Sequence, residues 1–264
     1  MTFKRQALTF AILALVALPS AVTAQQRAII RFNPQAPLTP VPESEREQSA
    51  FLRMLDEDDP TRRNRLIDDL FSDFPSSEYM HMFLQARWEL RVENGSPEQI
   101  IAAAESGLEA FDYFWESKLG FIDDPESLSQ YPRESYRRAA QYLRYHQSMV
   151  DAYTELGDLA SVAEHTDLAL EAADDADTWF PQLGDEAEDV VGVESEAYAA
   201  YSENAHMYLL NNLRVLYDQA GDAEGVIEVS ERMLEVLPDD VELLLSTSAQ
   251  LVSQIPDDAA ERQA

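Results

Sequence analysis

Apolar residues recur at helical spacing along the chain from Ser44 onward, and no stretch keeps the strict alternation of apolar and polar residues that a half-buried strand requires. Only 8 glycines interrupt the 264 residues. The pattern therefore predicts an all-α fold. Two stretches, 120–131 and 174–189, are predicted to be inserted connections, and residues 239–255 are predicted to form a final capping helix.

An internal repeat is the strongest feature of the pattern. The segment 153–171 recurs, after a shift of 64 residues, at 217–235, with a shared tyrosine, a shared Gly-Asp pair and a shared Leu-Glu pair. The glycine is expected to end one helix in the left-handed conformation. The aspartate is expected to cap the next helix by accepting bonds from its first N–H groups. The sequence thus predicts helical hairpins whose apolar faces are covered by neighbouring hairpins.

These hairpins resemble the tetratricopeptide repeat, a unit of about 34 residues. The unit 207–240 carries the resemblance best, although Arg214 and Val226 stand where small residues are usual. Weaker units are 143–176 and 81–109, and 61–74 resembles the second helix of a degenerate first unit. In the best unit, the residues at the family's large, turn and terminating positions are Leu210, Leu213, Tyr217, Gly221, Asp222, Val226 and Pro238. The resemblance implies a right-handed α-solenoid of helix–turn–helix repeats over residues 48–255.

The two ends of the chain carry different signals. Residues 1–24 have two basic residues, an apolar stretch and small residues before Ala24, which predicts a signal peptide cleaved after Ala24. An uncleaved anchor is the alternative, but the apolar run is short for a membrane span. Residues 25–47 are predicted to be a proline-rich linker and 256–264 a disordered tail. We therefore expect a periplasmic or secreted protein without a stable membrane span after cleavage.

Charge restricts the possible partners. The chain has 50 acidic and 19 basic residues, for a formal net charge of -31. No basic stripe exists to neutralise phosphates, which argues against nucleic acid, and the same charge argues against an anionic membrane surface. A neutral or basic protein or peptide fits better. The absence of cysteine excludes disulfides and thiolate chemistry.

In tetratricopeptide proteins the first helix of each unit lines a concave groove, and the resemblance implies such a partner-binding groove here. The amides of Gln85, Gln147 and Asn211 take the same place in three units, where they could bond the backbone of an extended peptide. The predicted groove residues are Met82, Gln85, Glu89, Arg144, Gln147, Asp151, Tyr208, Asn211 and Val215. The favoured interpretation is an exported interaction scaffold or adaptor that is not an enzyme and uses no metal or cofactor.

Two alternatives remain beside the scaffold. Glu78 and His81, and again Glu203 and His206, have the Glu-x-x-His spacing of di-iron carboxylate bundles, which would suit a metal-dependent enzyme. A structural subunit of a cell-envelope complex is the other alternative. No phosphate-binding loop, nucleophile elbow or HExxH motif is present. The acidic runs at 56–59, 174–177 and 239–240 are interpreted as solvated helix ends.

Overall fold

The computed structural model describes residues 40–119 and 131–254, and every regular element within them is helical. The all-α prediction is thereby confirmed for this part of the chain. The helices are α1 (Glu45–Leu55), α2 (Pro60–Asp73), α3 (Met80–Asn94), α4 (Pro97–Leu119), α5 (Pro132–Leu156), α6 (Leu159–Trp179), α7 (Ala187–Val191), α8 (Tyr198–Ala220), α9 (Ala223–Val236) and α10 (Val241–Gln254). Short 3₁₀ segments, Phe180–Glu186 and Ser195–Ala197, flank α7.

The long helices pack mainly on their neighbours along the chain, from α1 through α6, then α6 on α8, α8 on α9 and α9 on α10. The described residues from Pro42 onward belong to one unit. Its buried apolar residues form successive clusters: Phe51, Ile67 and Phe83 join α1, α2 and α3, whereas Ala104 and Met149 join α4 and α5. Each helix thus covers an apolar face of the next helix in the packing order.

The two predicted hairpin turns adopt the conformation that the residue types suggest. Gly157 and Gly221 have φ angles of 73° and 72°, in the left-handed region that glycine enters without a Cβ clash. The N–H groups of Asp158 and Asp222 each donate to the tyrosine carbonyl five residues earlier, at 3.0 and 2.9 Å. Their carboxylates each accept the backbone N–H three residues later. These bonds satisfy groups that a helix end otherwise leaves unpaired.

The predicted connection at 174–189 is wrong. The helix α6 continues to Trp179, and the following residues form the 3₁₀ segment and α7. Ala172, Ala173 and Ala176 are buried and extend the apolar face of α6 by one turn beyond the expected end. The acidic residues 174–177 therefore lie inside a helix. At 56–59 and 239–240, by contrast, the acidic runs are at helix ends, as expected.

The start of the helical region agrees with the helical spacing from Ser44 onward but overlaps the range assigned to the linker. Helix α1 starts at Glu45, inside the stretch 25–47 assigned to the linker. Ser44 caps it, because its hydroxyl accepts the N–H of Glu47 at 3.2 Å. The capping helix at the other end, α10, runs over Val241–Gln254 and agrees with the expected position.

Several predictions fall on residues outside the described ranges. They are the signal peptide at 1–24, the linker as far as residue 39, the connection at 120–130 and the tail at 256–264. Among the helices of the described ranges, none is both long and apolar enough to cross a membrane.

Candidate functional site

The predicted groove residues lie on three helices, with three residues each on α3, α5 and α8. Polar contacts join them from helix to helix. A carboxylate oxygen of Glu89 lies 3.7 Å from the Arg144 guanidinium, which links α3 to α5. The hydroxyl of Tyr208 donates to Asp151 at 2.7 Å, which links α5 to α8. In both contacts the third groove position of one helix meets the first groove position of the next, although the spacing of the units along the chain is irregular.

Glu89 is the most connected of these residues. Its carboxylate accepts a bond from the Gln85 amide at 3.1 Å and lies 3.5 Å from the Arg63 guanidinium, besides its pairing with Arg144. The Arg144 guanidinium in turn lies over the ring of Trp88, 5.0 Å from the ring centroid. Two cations thus balance this acidic group, and a ligand would meet an ordered and partly neutralised surface at α3.

Asp151 lies in the middle of the row, half-buried between α5 and α8. Burial raises the pKa of its carboxyl to about 6, with the Glu155 charge adding to the rise and the Tyr208 hydrogen bond opposing it. The carboxylate loses its charge when the pH falls below about 6. The middle of this row of side chains then becomes less acidic.

The three amides expected to act alike have different environments. Gln85 donates to Glu89, whereas the carbonyl oxygen of Asn211 accepts from Arg214 at 3.3 Å. Gln147 is half-buried and has no side-chain hydrogen bond to another described residue. Gln85 keeps its amide oxygen for a ligand, and Asn211 keeps its NH₂ group. Only Gln147 offers both halves of its amide.

The first Glu-x-x-His sequence does not form a helical ligand pair. Glu78 lies in the turn before α3, so it does not share a helix face with His81. The Nδ1 atom of His81 lies 3.0 Å from the Glu78 carbonyl oxygen, and its ring stacks on Phe114 with 4.0 Å between centroids. Burial lowers the pKa of His81 to about 4. His81 is a neutral, packed side chain.

The second Glu-x-x-His sequence has a different environment. Both residues lie on α8 beside a cleft of about 380 Å³. The Nε2 atom of His206 lies 3.1 Å from an oxygen of Asp174, on α6. Asp174, Asp177 and His206 each offer a ligand atom within 4.8 Å of the others, and they form the one such group of three or more that residues 40–119 and 131–254 contain. The predicted set of Glu78, His81, Glu203 and His206 is therefore not assembled in these ranges.

Sequence reasoning missed Asp174 and Asp177 because it assigned them to a connection. The signal for a helix was nevertheless there. The alanines at 172, 173 and 176 keep helical spacing, and the two aspartates are three residues apart, which places them on one helix face. That this face meets His206 depends on the packing of α6 on α8, which no local pattern shows.

A histidine pair lies elsewhere in the α5–α6 hairpin. The Nδ1 atoms of His146 and His165 are 3.2 Å apart, so one ring donates and the other accepts. Burial lowers the pKa of both, that of His146 to about 4 with the charge of His165 as a further cause. The ring of Tyr153 stacks on His165 at 5.4 Å. Like the contact of His206 with Asp174, this contact between α5 and α6 was not predicted from the sequence.

Comparison of the chain with protein-family models, curated proteins and solved structures finds no match.

Proposed function

We propose that this protein is an interaction scaffold built from tetratricopeptide-like hairpins, and that the row formed by α3, α5 and α8 binds a neutral or basic peptide or partner helix. The observation that carries the proposal is the pair of cross-helix contacts. Glu89 with Arg144, and Asp151 with Tyr208, each join the third groove position of one unit to the first groove position of the next, so the same contact recurs. Such a row gives an extended ligand a repeated set of contacts along its length.

The packing order supports the same interpretation. Helices that contact mainly their chain neighbours are typical of a solenoid, in which each hairpin covers the next. The repeated turns at Gly157 and Gly221 give two hairpins the same connection. A right-handed solenoid is the arrangement that the tetratricopeptide resemblance implies for these hairpins.

Charge favours a basic or neutral ligand. The chain carries a formal net charge of -31, and a ligand of the same sign would be repelled at low ionic strength. Gln147 and Asn211 supply amide groups that suit the backbone of an extended peptide, because an amide both donates and accepts. The ligand would thus be held by directional bonds at the amides and attracted by the acidic surroundings.

The test is capture of a native partner by the tagged chain and by the double variant Gln147→Ala/Asn211→Ala. Both side chains are half-buried or exposed, so the double variant is expected to fold. A matched control removes two exposed amides outside the row, Gln99→Ala/Gln182→Ala. We expect loss of capture for the first double variant and unchanged capture for the second.

Ionic strength supplies a second readout. Capture of a basic partner should weaken between about 50 and 500 mM salt, because screening reduces the attraction of exposed charges. Equal capture by wild type and the groove variant would contradict the proposal. So would equal losses in the groove and control variants.

A further inference from the structure

Both ring nitrogens of His206 lie close to oxygen atoms of other residues. Its Nδ1 atom lies 3.0 Å from the carbonyl oxygen of Ser202, and its Nε2 atom lies 3.1 Å from a carboxylate oxygen of Asp174. Both oxygens are acceptors, and a neutral imidazole carries only one N–H. If Nδ1 donates to the carbonyl, the Nε2 lone pair faces a carboxylate. A cation bound between these two atoms would interact favourably with both.

Asp177 is held in a fixed orientation beside this pair. The Tyr198 hydroxyl donates to one of its oxygens at 2.8 Å, and the Ser202 hydroxyl donates to the other at 2.6 Å. Each oxygen still has a lone pair for another bond. Hydroxyl groups that orient a carboxylate in this way are typical outer partners of a metal ligand. Ser202 thus contacts two members of the group, through its carbonyl to His206 and its hydroxyl to Asp177.

The distances suit coordination of one ion. Ligands about 2.1 Å from a metal lie roughly 3.0 Å apart in an octahedral site and about 3.4 Å apart in a tetrahedral one. The separation of 3.1 Å between His206 Nε2 and Asp174 falls in this range. The ligand atoms of all three residues lie within 4.8 Å of one another. The Asp174 side chain is 76% exposed, so it has space to adjust to an ion.

The cleft has the charge that a cation requires. Glu203 and Glu235 line it together with Asp174 and Asp177, and apart from His206 the one basic residue among its described lining residues is Arg232. The guanidinium of Arg232 is already engaged, because it donates to Asp167 at 2.8 Å. The histidine side chain is only 12% exposed, which partly shields its ligand atom from water. Because the cleft has a volume of about 380 Å³, it leaves space for water or a small ligand on a bound ion.

We propose that Asp174, Asp177 and His206 form a binding site for one divalent transition-metal ion of the Zn²⁺ type, which joins α6 to α8. One imidazole and two carboxylates suit zinc or manganese better than calcium, which prefers six or more oxygen ligands. This site differs from the di-iron arrangement considered from sequence, because its carboxylates come from α6. It also replaces the expectation that no metal is bound.

Isothermal titration of the chelator-treated full chain with ZnCl₂ tests the stoichiometry. We expect one saturable site, and an affinity at least about 10-fold lower in Asp174→Asn and in His206→Gln. Asp189→Asn, which removes an exposed acidic charge from α7, is the matched control and should bind as wild type does. Zinc should raise the midpoint of thermal unfolding by several degrees in wild type and Asp189→Asn only, because it binds the folded state.

Imidazole nitrogen spectra identify the ligand, since the chain has only 4 histidines. One equivalent of zinc should move the Nε2 signal of one ring, and that signal should be missing from His206→Gln. The proposal is overturned if zinc moves no histidine signal, or moves those of His146 and His165 instead. Equal zinc affinity in wild type and Asp174→Asn would also overturn it, since that result means diffuse binding to the acidic surface.

Discussion

Two regions of the molecule contain the same Glu-x-x-His sequence and use it in opposite ways. Around α3 and α4, His81 is 8% exposed, stacks on Phe114 and bonds to a backbone carbonyl. Around α6 and α8, His206 faces a cleft and two aspartates. The motif is equal in both places, but the helix packed against it differs. An apolar neighbour makes the histidine part of the core, and an acidic neighbour makes it a candidate ligand.

The largest expected difference between the two regions is the cost of removing the ring. His81→Ala should lower the free energy of unfolding by about 2–4 kcal/mol, because it leaves a cavity beside Phe114. His206→Ala should cost about 1 kcal/mol in metal-free protein, since its ring borders a cleft instead of packing against another aromatic ring. Urea unfolding of both variants measures this. Equal losses would show that the two environments do not differ as described.

Low pH should lower the free energy of unfolding mainly through the buried histidines. The folded-state pKa values of His81 and His146 are lowered to about 4, so between about pH 6.5 and 4 the unfolded chain binds more protons and stability falls with falling pH. Each histidine should contribute roughly 2–3 kcal/mol to that loss. Asp151, with a pKa raised to about 6, opposes it by less than the two histidines together.

His81→Phe isolates one part of this pH dependence. Phenylalanine keeps a ring against Phe114 but cannot be protonated. Unfolding curves at pH 7 and pH 4.5 should therefore differ less for the variant than for wild type, by roughly 2 kcal/mol. An unchanged difference would show that His81 does not drive the acid response.

Alanine substitutions at two glycines compare the packing around a fully buried tyrosine with the packing around a half-buried one. A Cβ at Gly107 would lie 2.6 Å from the ring of Tyr145, which is 1% exposed and contacts Trp88. A Cβ at Gly225 would lie 2.5 Å from the ring of Tyr217, which is half-buried and therefore less confined than Tyr145. Gly107→Ala should therefore cost about 1–2 kcal/mol despite the better helix propensity of alanine. Gly225→Ala should cost less than Gly107→Ala, because the Tyr217 ring is partly exposed, and thermal unfolding of both variants checks the contrast.

The smallest expected difference in the free energy of unfolding is between variants that each remove one serine hydroxyl. Ser148 accepts the buried Trp88 indole N–H at 2.9 Å, so Ser148→Ala leaves that donor unpaired and should cost about 1–2 kcal/mol. Ser202→Ala removes a bond to Asp177 beside the cleft, where water can replace it, and should cost about 0.5 kcal/mol. Chemical unfolding of the two variants shows which substitution lowers the free energy of unfolding more. A reversed order would contradict the assignment of packed and open regions.

Local chemistry explains what the sequence could predict. The turns at Gly157 and Gly221 follow from residue types that act on their own backbone, and both were located correctly. The start of α3 could not be found in this way. The Ser77 hydroxyl, which accepts the N–H of Tyr79, donates to the buried Glu47 of α1, a residue 30 positions away. That turn places Glu78 before the helix.

The candidate sites depend on contacts between helices, which the sequence does not show. The tetratricopeptide resemblance predicted which positions on α3, α5 and α8 belong to the groove. It did not predict the contacts between these helices, which depend on how the helices pack. Asp174 meets His206 at a separation of 32 residues, and His146 meets His165 across the α5–α6 turn. Each contact depends on the rotation of one helix against another. Periodicity fixes which residues share a face but leaves the facing partner undetermined.

The most direct test of the contrast between the two histidine environments is anomalous diffraction at the zinc edge from zinc-soaked crystals of the full chain. We predict one strong peak between Asp174, Asp177 and the Nε2 atom of His206, and none beside His81. A map without a peak at His206, or with its main peak at another histidine, would contradict the account.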